Sequence, residues 1–292
     1  MSNAKETKVE DHDYSLQPVP QFARRRLLTM FMIMLGFTFF SASMWVGQQL
    51  ADGLDFWGFL GSLILGGIIL GIYTGLLGYV GAKTGLSLDL LSQRAFGEKG
   101  SYLPSAMTSF TQIGWFGVGL AMFAIPVSKE LLGGSTAAQW GLVILAGVCM
   151  TASAYFGIES LTIVSYIAVP SVAILGTIAM VMAVMRGDGT IIDQFAKSSG
   201  SLTIIGGAGL VIGSFVSGGT ATPNFARFAK NGKAGAITTV VAFFIGNSLM
   251  FFFGAVSSIF VGGNDIFEVM VRLNLFYLAV LVLGLNIWTT ND

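Results

Sequence analysis

Long apolar stretches alternate with short polar segments along most of the chain, and this pattern predicts helices that span a membrane. One span needs about 20 mainly apolar residues, because the hydrocarbon core of a bilayer is about 30 Å thick. Eight such stretches follow a polar N-terminal tail. They are Leu27–Leu50, Trp57–Val80, Pro104–Val127, Gln139–Phe156, Leu161–Met185, Leu202–Phe228, Ala236–Val261 and Val269–Thr290. The sequence therefore predicts an all-α polytopic membrane protein.

The sixth span contains the residues that fit a continuous helix least well. Gly218 and Gly219 are adjacent, Pro223 lacks a backbone donor, and Thr220 and Thr222 lie in the same turns. In lipid, a broken backbone is tolerated only where protein buries it or where it lines a watery cavity. The pattern is typical of a discontinuous helix at a transporter's binding site, or of a kinked helix with small residues at a packing contact.

The first and sixth spans are five apart, so they enter the membrane from opposite sides. Each has a polar centre of small residues, which in the first span comes from Ser41 and Ser43 without a Gly pair or a Pro. An inverted repeat of five helices has this relation, so we predict a tail (1–26), a first repeat (27–186) and a partial second repeat (187–292). Because the second repeat would hold only three spans, we expect the sequence to be a fragment that does not itself transport.

Composition and charge support a membrane location. Hydrophobic residues make up 54% of the chain and charged residues 10%, whereas soluble domains carry about 25% charged residues. Because cytoplasmic loops are rich in Lys and Arg, the charge distribution predicts a cytoplasmic N terminus and a cytoplasmic loop at Gly81–Tyr102, with a short interfacial helix near Leu86–Phe96. The eleven basic residues on that side are Lys5, Lys8, Arg24, Arg25, Arg26, Lys83, Arg94, Lys99, Arg227, Lys230 and Lys233. The four on the other side are Lys129, Arg186, Lys197 and Arg272.

No Asp, Glu, Lys, Arg or His lies at the centre of a predicted span. The one histidine, His12, is in the tail, and the one cysteine, Cys149, lies in an apolar run. Ionisable groups inside membranes mark proton relays and sites for charged substrates, so their absence favours a neutral substrate and disfavours an enzyme. Hydroxyl and carbonyl oxygens suit a small hard cation, which makes Na⁺ coupling a hypothesis, with no other cofactor. A channel is disfavoured, because it would need a pore lined along its whole length, whereas the polar residues here cluster at the centres of the spans. The net charge of zero indicates no nucleic-acid partner.

Two groups of polar residues are candidates for ligand contacts. Gln112 and Trp115 in the third span are three residues apart and share a helical face. An amide beside a flat ring suits a planar polar ligand, although the same pair could hydrogen-bond a neighbouring helix. In the eighth span, Asn286 and Thr289 share a face, and Thr290 lies one turn beyond Asn286.

Seven stretches together resemble the nucleobase–cation symporter-1 family. They are Pro18–Arg25, Leu35–Trp45, Leu77–Gly85, Gln112–Pro126, Gly213–Phe228, Phe243–Met250 and Leu283–Asp292. The resemblance implies a LeuT-like inverted-repeat fold of about twelve spans, of which this chain would supply the first eight. It also implies Na⁺-coupled import of cytosine, by alternating access, across a bacterial cytoplasmic membrane. The alternatives are another nucleobase, allantoin or a hydantoin as substrate, and proton coupling. The oligomeric state is left open.

The resemblance also implies two sets of site residues. The base would lie between the rings of Trp115 and Phe215, with polar groups at its edge. Those polar residues are Gln112, Ser214, Ser217 and Asn286. The sodium ion would lie between the first and eighth spans, held by backbone carbonyls and hydroxyls. Its expected ligands are Phe40, Gly36, Phe37, Thr289, Thr290 and, more weakly, Asn291.

Overall fold

The computed structural model describes residues 13–263 and 265–291, and most of these residues are helical. Fourteen α-helices occur within the two ranges. They are α1 (Leu27–Thr38), α2 (Ser41–Gly53), α3 (Phe56–Thr84), α4 (Leu88–Gly100), α5 (Tyr102–Leu131), α6 (Thr136–Ala154), α7 (Ile158–Arg186), α8 (Ile191–Phe195), α9 (Ile204–Thr220), α10 (Thr222–Ala226), α11 (Gly232–Val241), α12 (Asn247–Val261), α13 (Ile266–Arg272) and α14 (Phe276–Asn291). A π-helical turn, Ala242–Gly246, joins α11 to α12.

Every predicted span contains an apolar helix. Five helical stretches are long and apolar enough to cross a membrane, and the bent pair α1–α2 raises the number to six. The sixth and eighth spans correspond to α9 and α14, which are apolar but shorter, at 17 and 16 residues. The predicted interfacial helix is α4, whose first turn is capped because Ser87 Oγ accepts a hydrogen bond from the Leu90 backbone N.

The start of the eighth span differs from the prediction. The sequence indicated one helix over Val269–Thr290, but a short helix, α13, ends at Arg272 and α14 begins at Phe276. Asn274 lies between them with a φ of 61°, a left-handed conformation that interrupts a helix and that Asn tolerates better than most residues. The apolar pattern continues through this turn, so hydropathy alone could not locate it.

The principal helix break lies in the first span. α1 and α2 meet at Phe39 and Phe40 with a bend of 58°. Asn286 of α14 satisfies the freed backbone: its Oδ1 accepts from the Ser41 backbone N at 2.8 Å, and its Nδ2 donates to the Phe39 carbonyl at 2.7 Å. Thr290 Oγ1 also donates to the Phe39 carbonyl, at 3.2 Å. Unpaired backbone groups are costly in a membrane, so these contacts make the break possible.

The sixth span is more regular than its Gly and Pro content suggested. The predicted interruption is present, but it follows the paired glycines, because α9 continues through Gly218 and Gly219 to Thr220. The interruption is one turn at Ala221, after which Pro223 lies in the first turn of α10, where its missing donor is harmless. The glycines instead allow close packing: a Cβ on Gly219 would lie 2.8 Å from Thr74 of α3.

The helices pack in two groups. One group consists of α2, α3, α9, α11 and α12, and the other of α5, α6, α7 and α14. α1 lies between them and contacts both α7 and α11. Hydrogen bonds from Arg24 to Ala82, from Arg25 to Phe228 and between Arg25 and Glu159 join helix ends at one end of the bundle. We call this the basic end.

A glycine contact between α2 and α12 provides a test of the packing. A Cβ on Gly254 would collide with the Met44 backbone carbonyl, which cannot move as a side chain could. We expect Gly254→Ala to destabilise the protein by ~1–3 kcal/mol, the usual range for overpacking. Gly209→Ala on α9 is the control, because a Cβ there meets nothing within 4 Å. Thermal unfolding in detergent should show a lower Tm for Gly254→Ala only. An equal Tm for both variants would contradict this helix contact.

Candidate functional site

A cavity of about 200 Å³ lies beside the break in the first span. Residues from five helices and two breaks surround it, most of them aromatic or small and polar. They are Phe37, Phe40, Gln112, Trp115, Phe116, Ser214, Phe215, Ser217, Gly218, Ala221, Asn224, Phe225, Thr290 and Asn291. None of these lining residues is ionisable, which fits the predicted neutral ligand.

Six of the fourteen residues that line the cavity are aromatic. Trp115 meets Phe40 edge to face, with ring centroids 5.7 Å apart. Phe215 is buried and meets Phe37 in the same way, at 5.4 Å. Phe225 packs on the other side of Phe37, at 4.7 Å. The edge-to-face contacts hold Trp115 and Phe215 in fixed orientations, so the wall can present a rigid flat surface to a planar ligand.

Three polar side chains from α5 and α9 complete the cavity. Ser217 Oγ accepts a hydrogen bond from Trp115 Nε1 at 3.1 Å, and Ser214 Oγ donates to the Val211 carbonyl at 2.8 Å. Gln112 Nε2 is buried and has no hydrogen-bond partner. A buried amide nitrogen without a partner is unfavourable by roughly 1–3 kcal/mol, so its position on a cavity points to an acceptor on a ligand.

Asn286, predicted at the ligand's edge, does not line the cavity. Its side chain is fully buried, and both ends of the amide are bonded to the break in the first span. Its Oδ1 also accepts from Ser41 Oγ, at 2.6 Å. In this arrangement Asn286 supports the backbone that shapes the cavity, and its contact with a ligand stays a prediction. The other five predicted base-binding residues all line it.

The predicted ion ligands are divided between two places. Gly36 of α1 lies against α14, where a Cβ would come 2.5 Å from Thr289 Oγ1 and 2.8 Å from Ser165 Oγ. Ser165 Oγ and Thr289 Oγ1 are 3.3 Å apart. This cluster of small residues and hydroxyls joins α1, α7 and α14, and Ser165 was missed because it lies within a long apolar span.

The remaining predicted ion ligands lie on or near the cavity. Phe37, Phe40, Thr290 and Asn291 contribute to its lining. Thr290 Oγ1 donates a hydrogen bond to the carbonyl of Phe39. Phe39 directly precedes Phe40, whose carbonyl was predicted to bind the ion. Asn291 Nδ2 donates to the Phe116 carbonyl at 3.3 Å. Groups of His, Cys, Asp or Glu that could bind a metal do not occur among residues 13–263 and 265–291.

Sequence reasoning missed several residues of the cavity wall. Phe37 and Phe40 were expected to act through their carbonyls, yet their rings line the cavity. Phe116, Asn224 and Phe225 were not singled out. Asn224 and Phe225 directly follow Pro223, so their place after the interruption in the sixth span was a signal that could have found them.

A bent first span beside a cavity whose lining residues are uncharged is typical of one class of protein, the secondary transporters with discontinuous helices. A family model described as permease for cytosine/purines, uracil, thiamine, allantoin matches residues 18–292. The chain belongs to this family of permeases, whose members are transporters and not enzymes.

The comparisons with individual proteins agree. The chain is 47% identical over 284 residues to the cytosine permeases of Escherichia coli strains K12 and O157:H7, covering 97% of this chain and 67% of each relative. It is also similar to solved structures of MHP1, a nucleobase-cation-symport-1 family transporter. The closed conformation with bromovinylhydantoin bound gives a TM-score of 0.79 at 16% identity, covering 95% of this chain and 66% of that one. The inward-facing conformation gives 0.67 at 18% identity, covering 94% and 64%.

The fold is therefore the LeuT-like inverted repeat shared with that transporter. The chain spans about two thirds of the length of the relatives it matches, a share that fits an incomplete second repeat.

Proposed function

We propose that the protein imports cytosine across a bacterial cytoplasmic membrane, together with Na⁺, by alternating access. The observation that carries this proposal is Gln112 Nε2, a buried amide nitrogen without a partner at an uncharged, aromatic-walled cavity. A planar, neutral molecule with hydrogen-bonding groups on its edge complements such a cavity. The family and the cytosine permeases among the relatives support the choice of a nucleobase.

In this proposal, Trp115 provides the stacking surface and Gln112 binds the ring edge. An amide offers a donor and an acceptor side by side, which matches the ring N3 and the exocyclic amine of cytosine. Ser217 accepts from Trp115, so its hydroxyl hydrogen remains available to a ligand carbonyl. Phe215 lies on the opposite face of the base from Trp115. Uracil presents the reverse order of donor and acceptor, so discrimination depends on which way the Gln112 amide is held.

Sodium coupling is proposed for the oxygen-rich contact between α1 and α14. Ser165, Thr289 and Thr290 offer neutral hydroxyl oxygens close to the carbonyls freed at the break in the first span. These are hard ligands, suited to a small monovalent cation and not to a transition metal. An ion there joins two helices that also shape the cavity, so its binding would favour the arrangement that binds the base.

The proposed orientation places the basic end in the cytoplasm. This end carries Arg24, Arg25, Arg227 and nearby lysines. Because the cytoplasmic loops of membrane proteins are rich in Lys and Arg, we assign it to the cytoplasmic side. Fusion of a reporter that is active only in the cytoplasm to the N terminus tests this assignment.

Uptake of radiolabelled cytosine by the full-length protein tests the function. We expect uptake to fall when Na⁺ is replaced by K⁺, and unlabelled cytosine to compete better than uracil, a purine, allantoin or a hydantoin. A hydantoin is the principal alternative, because the solved relative holds one. Stronger competition by any of these compounds would reassign the substrate. Uptake that depends on a proton gradient and ignores Na⁺ would contradict sodium coupling.

Gln112→Leu tests the observation that carries the proposal. The change keeps the bulk but removes the amide, so we expect cytosine affinity to fall by ~1–2 kcal/mol, or about 5- to 30-fold. The matched control is Gln139→Leu on α6, whose amide donates to the nearby Gly134 carbonyl. Equilibrium binding of cytosine to purified protein is the measurement. Unchanged affinity in Gln112→Leu would remove this residue from the site.

A further inference from the structure

A second cavity, of about 270 Å³, adjoins the first at the basic end. Asn224 and Phe225 of α10 line both cavities. The rest of its wall includes Asp13 and Ser15 from the chain before α1, the start of α4, and the turn between α6 and α7. One turn of α10 therefore separates the proposed base-binding cavity from a polar cavity beside the helix ends.

The layer between the two cavities consists of a ring and an amide. The ring of Phe225 packs against Phe37 with centroids 4.7 Å apart and a tilt of 40°. Beside it, Asn224 Oδ1 accepts a hydrogen bond from the Leu88 backbone N at 2.8 Å, which ties α10 to the start of α4. A base moving from the first cavity to the second would have to displace Phe225 from Phe37.

A segment before α1 covers the second cavity. We call Asp13–Gln17 the strap. Arg227, at the end of α10, holds it with an ion pair to Asp13, Nη2 to Oδ2 at 2.7 Å, and a hydrogen bond from Nη1 to the Tyr14 carbonyl at 2.9 Å. Asp13 also reaches the opposite wall, where a Cβ on Gly157 would lie 3.1 Å from its Oδ1. The strap therefore bridges the cavity from α10 to the turn between α6 and α7.

The chain after the strap is held more firmly. Val19 N donates to the Gly85 carbonyl at 2.9 Å, and Arg24 Nη1 donates to the Ala82 carbonyl at 2.6 Å. The two side chains of the strap's ion pair differ in solvent exposure: Arg227 is 4% exposed and Asp13 is 44% exposed. Loss of the Asp13 charge would remove this carboxylate from a buried guanidinium and so weaken the closed arrangement.

We infer that the second cavity is the first compartment of the base's route out of the binding cavity, and that the Asp13–Arg227 pair keeps this route closed. Phe225 forms the inner barrier and the strap forms the outer one. Release requires the strap to leave Arg227 while the chain from Val19 onward stays attached to α3. The identity of the transported molecule rests on the proposed function. The existence of the closure does not depend on it.

Accessibility of a cysteine inside the second cavity tests the closure. Cys149 is the one native cysteine, so Cys149→Ser gives a cysteine-free background. Ala154→Cys then places a thiol in the wall of the second cavity with a small change in volume. We expect Asp13→Asn to raise the rate of labelling by a bulky, charged maleimide several-fold in nanodiscs without any base. Nanodiscs expose both faces of the protein, so the result does not depend on its orientation.

Two variants serve as controls for the labelling. Asp13→Glu keeps the charge and should label at nearly the parent rate. Asp89→Asn changes a carboxylate in the same cavity that is hydrogen-bonded to Ser105 instead of Arg227, and should also leave the rate unchanged. Parent-like labelling of Asp13→Asn would overturn the inference. Equal acceleration by Asp89→Asn would overturn it too, because the effect would then reflect cavity charge in general.

Salt provides a second measurement that needs no change at Asp13. The carboxylate is partly exposed, so high KCl should weaken the pair and speed labelling of Ala154→Cys in the parent background. This salt dependence should disappear in Asp13→Asn, and its persistence there would count against the strap. If cytosine proves not to be the cargo but the labelling results hold, the closure stands and only the substrate changes. If cytosine is transported but the labelling rate of Asp13→Asn equals that of the parent, only the proposed closure is wrong.

Discussion

Replacing Trp115 with alanine is expected to remove most of the cytosine affinity. The indole lines the cavity and is oriented by an edge contact with Phe40 and a hydrogen bond to Ser217. Stacking on an aromatic side chain contributes roughly 1–3 kcal/mol per base, so the dissociation constant should rise by about 5- to 150-fold. Trp115→Phe keeps an aromatic face but loses the hydrogen bond, and should retain part of the affinity. Equilibrium binding to purified protein is the measurement.

Trp140→Ala is the matched control for the loss of a tryptophan. Trp140 lies on α6 and is 63% exposed on the outer surface of the helices, away from the cavity lining. Its removal should leave cytosine binding unchanged. A well-folded Trp115→Ala protein that binds cytosine like the parent would show that the base does not stack there. Equal losses in Trp115→Ala and Trp115→Phe would indicate that the hydrogen bond to Ser217 matters more than the ring.

Replacing Thr289 and Thr290 together with valine is expected to remove the sodium dependence of cytosine binding. The change nearly preserves volume but deletes two hydroxyl oxygens, one beside Ser165 and one bonded to the Phe39 carbonyl. Couplings between sites are typically 1–3 kcal/mol, or about 5- to 150-fold in affinity, and they are reciprocal. Cytosine affinity measured with and without Na⁺ should therefore converge in the variant.

Two further variants separate ion binding from damage to the helix. Gly36→Ala adds a methyl group where Thr289 Oγ1 and Ser165 Oγ meet, so it should weaken Na⁺ binding while all hydroxyls remain. Thr177→Val on α7 is the control, because its hydroxyl is exposed and bonds only its own helix, at the Ala173 carbonyl. Sodium dependence that survives in both the Thr289/Thr290 variant and Gly36→Ala would contradict this ion site.

Some site residues could be predicted because residues three or four apart on a helix lie on the same face. Gln112 and Trp115 are three apart on a helix, so they had to point the same way, and the structure places both on the cavity. Their partners from α9 could be expected only through the family resemblance. Asn286 shows how far such reasoning reaches. Its polar side chain on a known face indicated a contact, but only its position opposite Ser41, 245 residues earlier in the chain, decided what it contacts.

The sequence by itself determined that the chain crosses a membrane and where most of the spans lie, because a bilayer requires long apolar segments whatever their neighbours. It also predicted an uncharged site, since no Asp, Glu, Lys, Arg or His lies at the centre of a span, and the residues that line the cavity are uncharged. The tertiary structure alone decided where the helices break. Gly218 and Gly219 could have broken α9, yet they pack closely in it, whereas Phe39 and Phe40 break the first span because Asn286 and Thr290 supply the lost hydrogen bonds. A backbone can break inside a membrane only where distant partners satisfy it, and no local pattern records those partners.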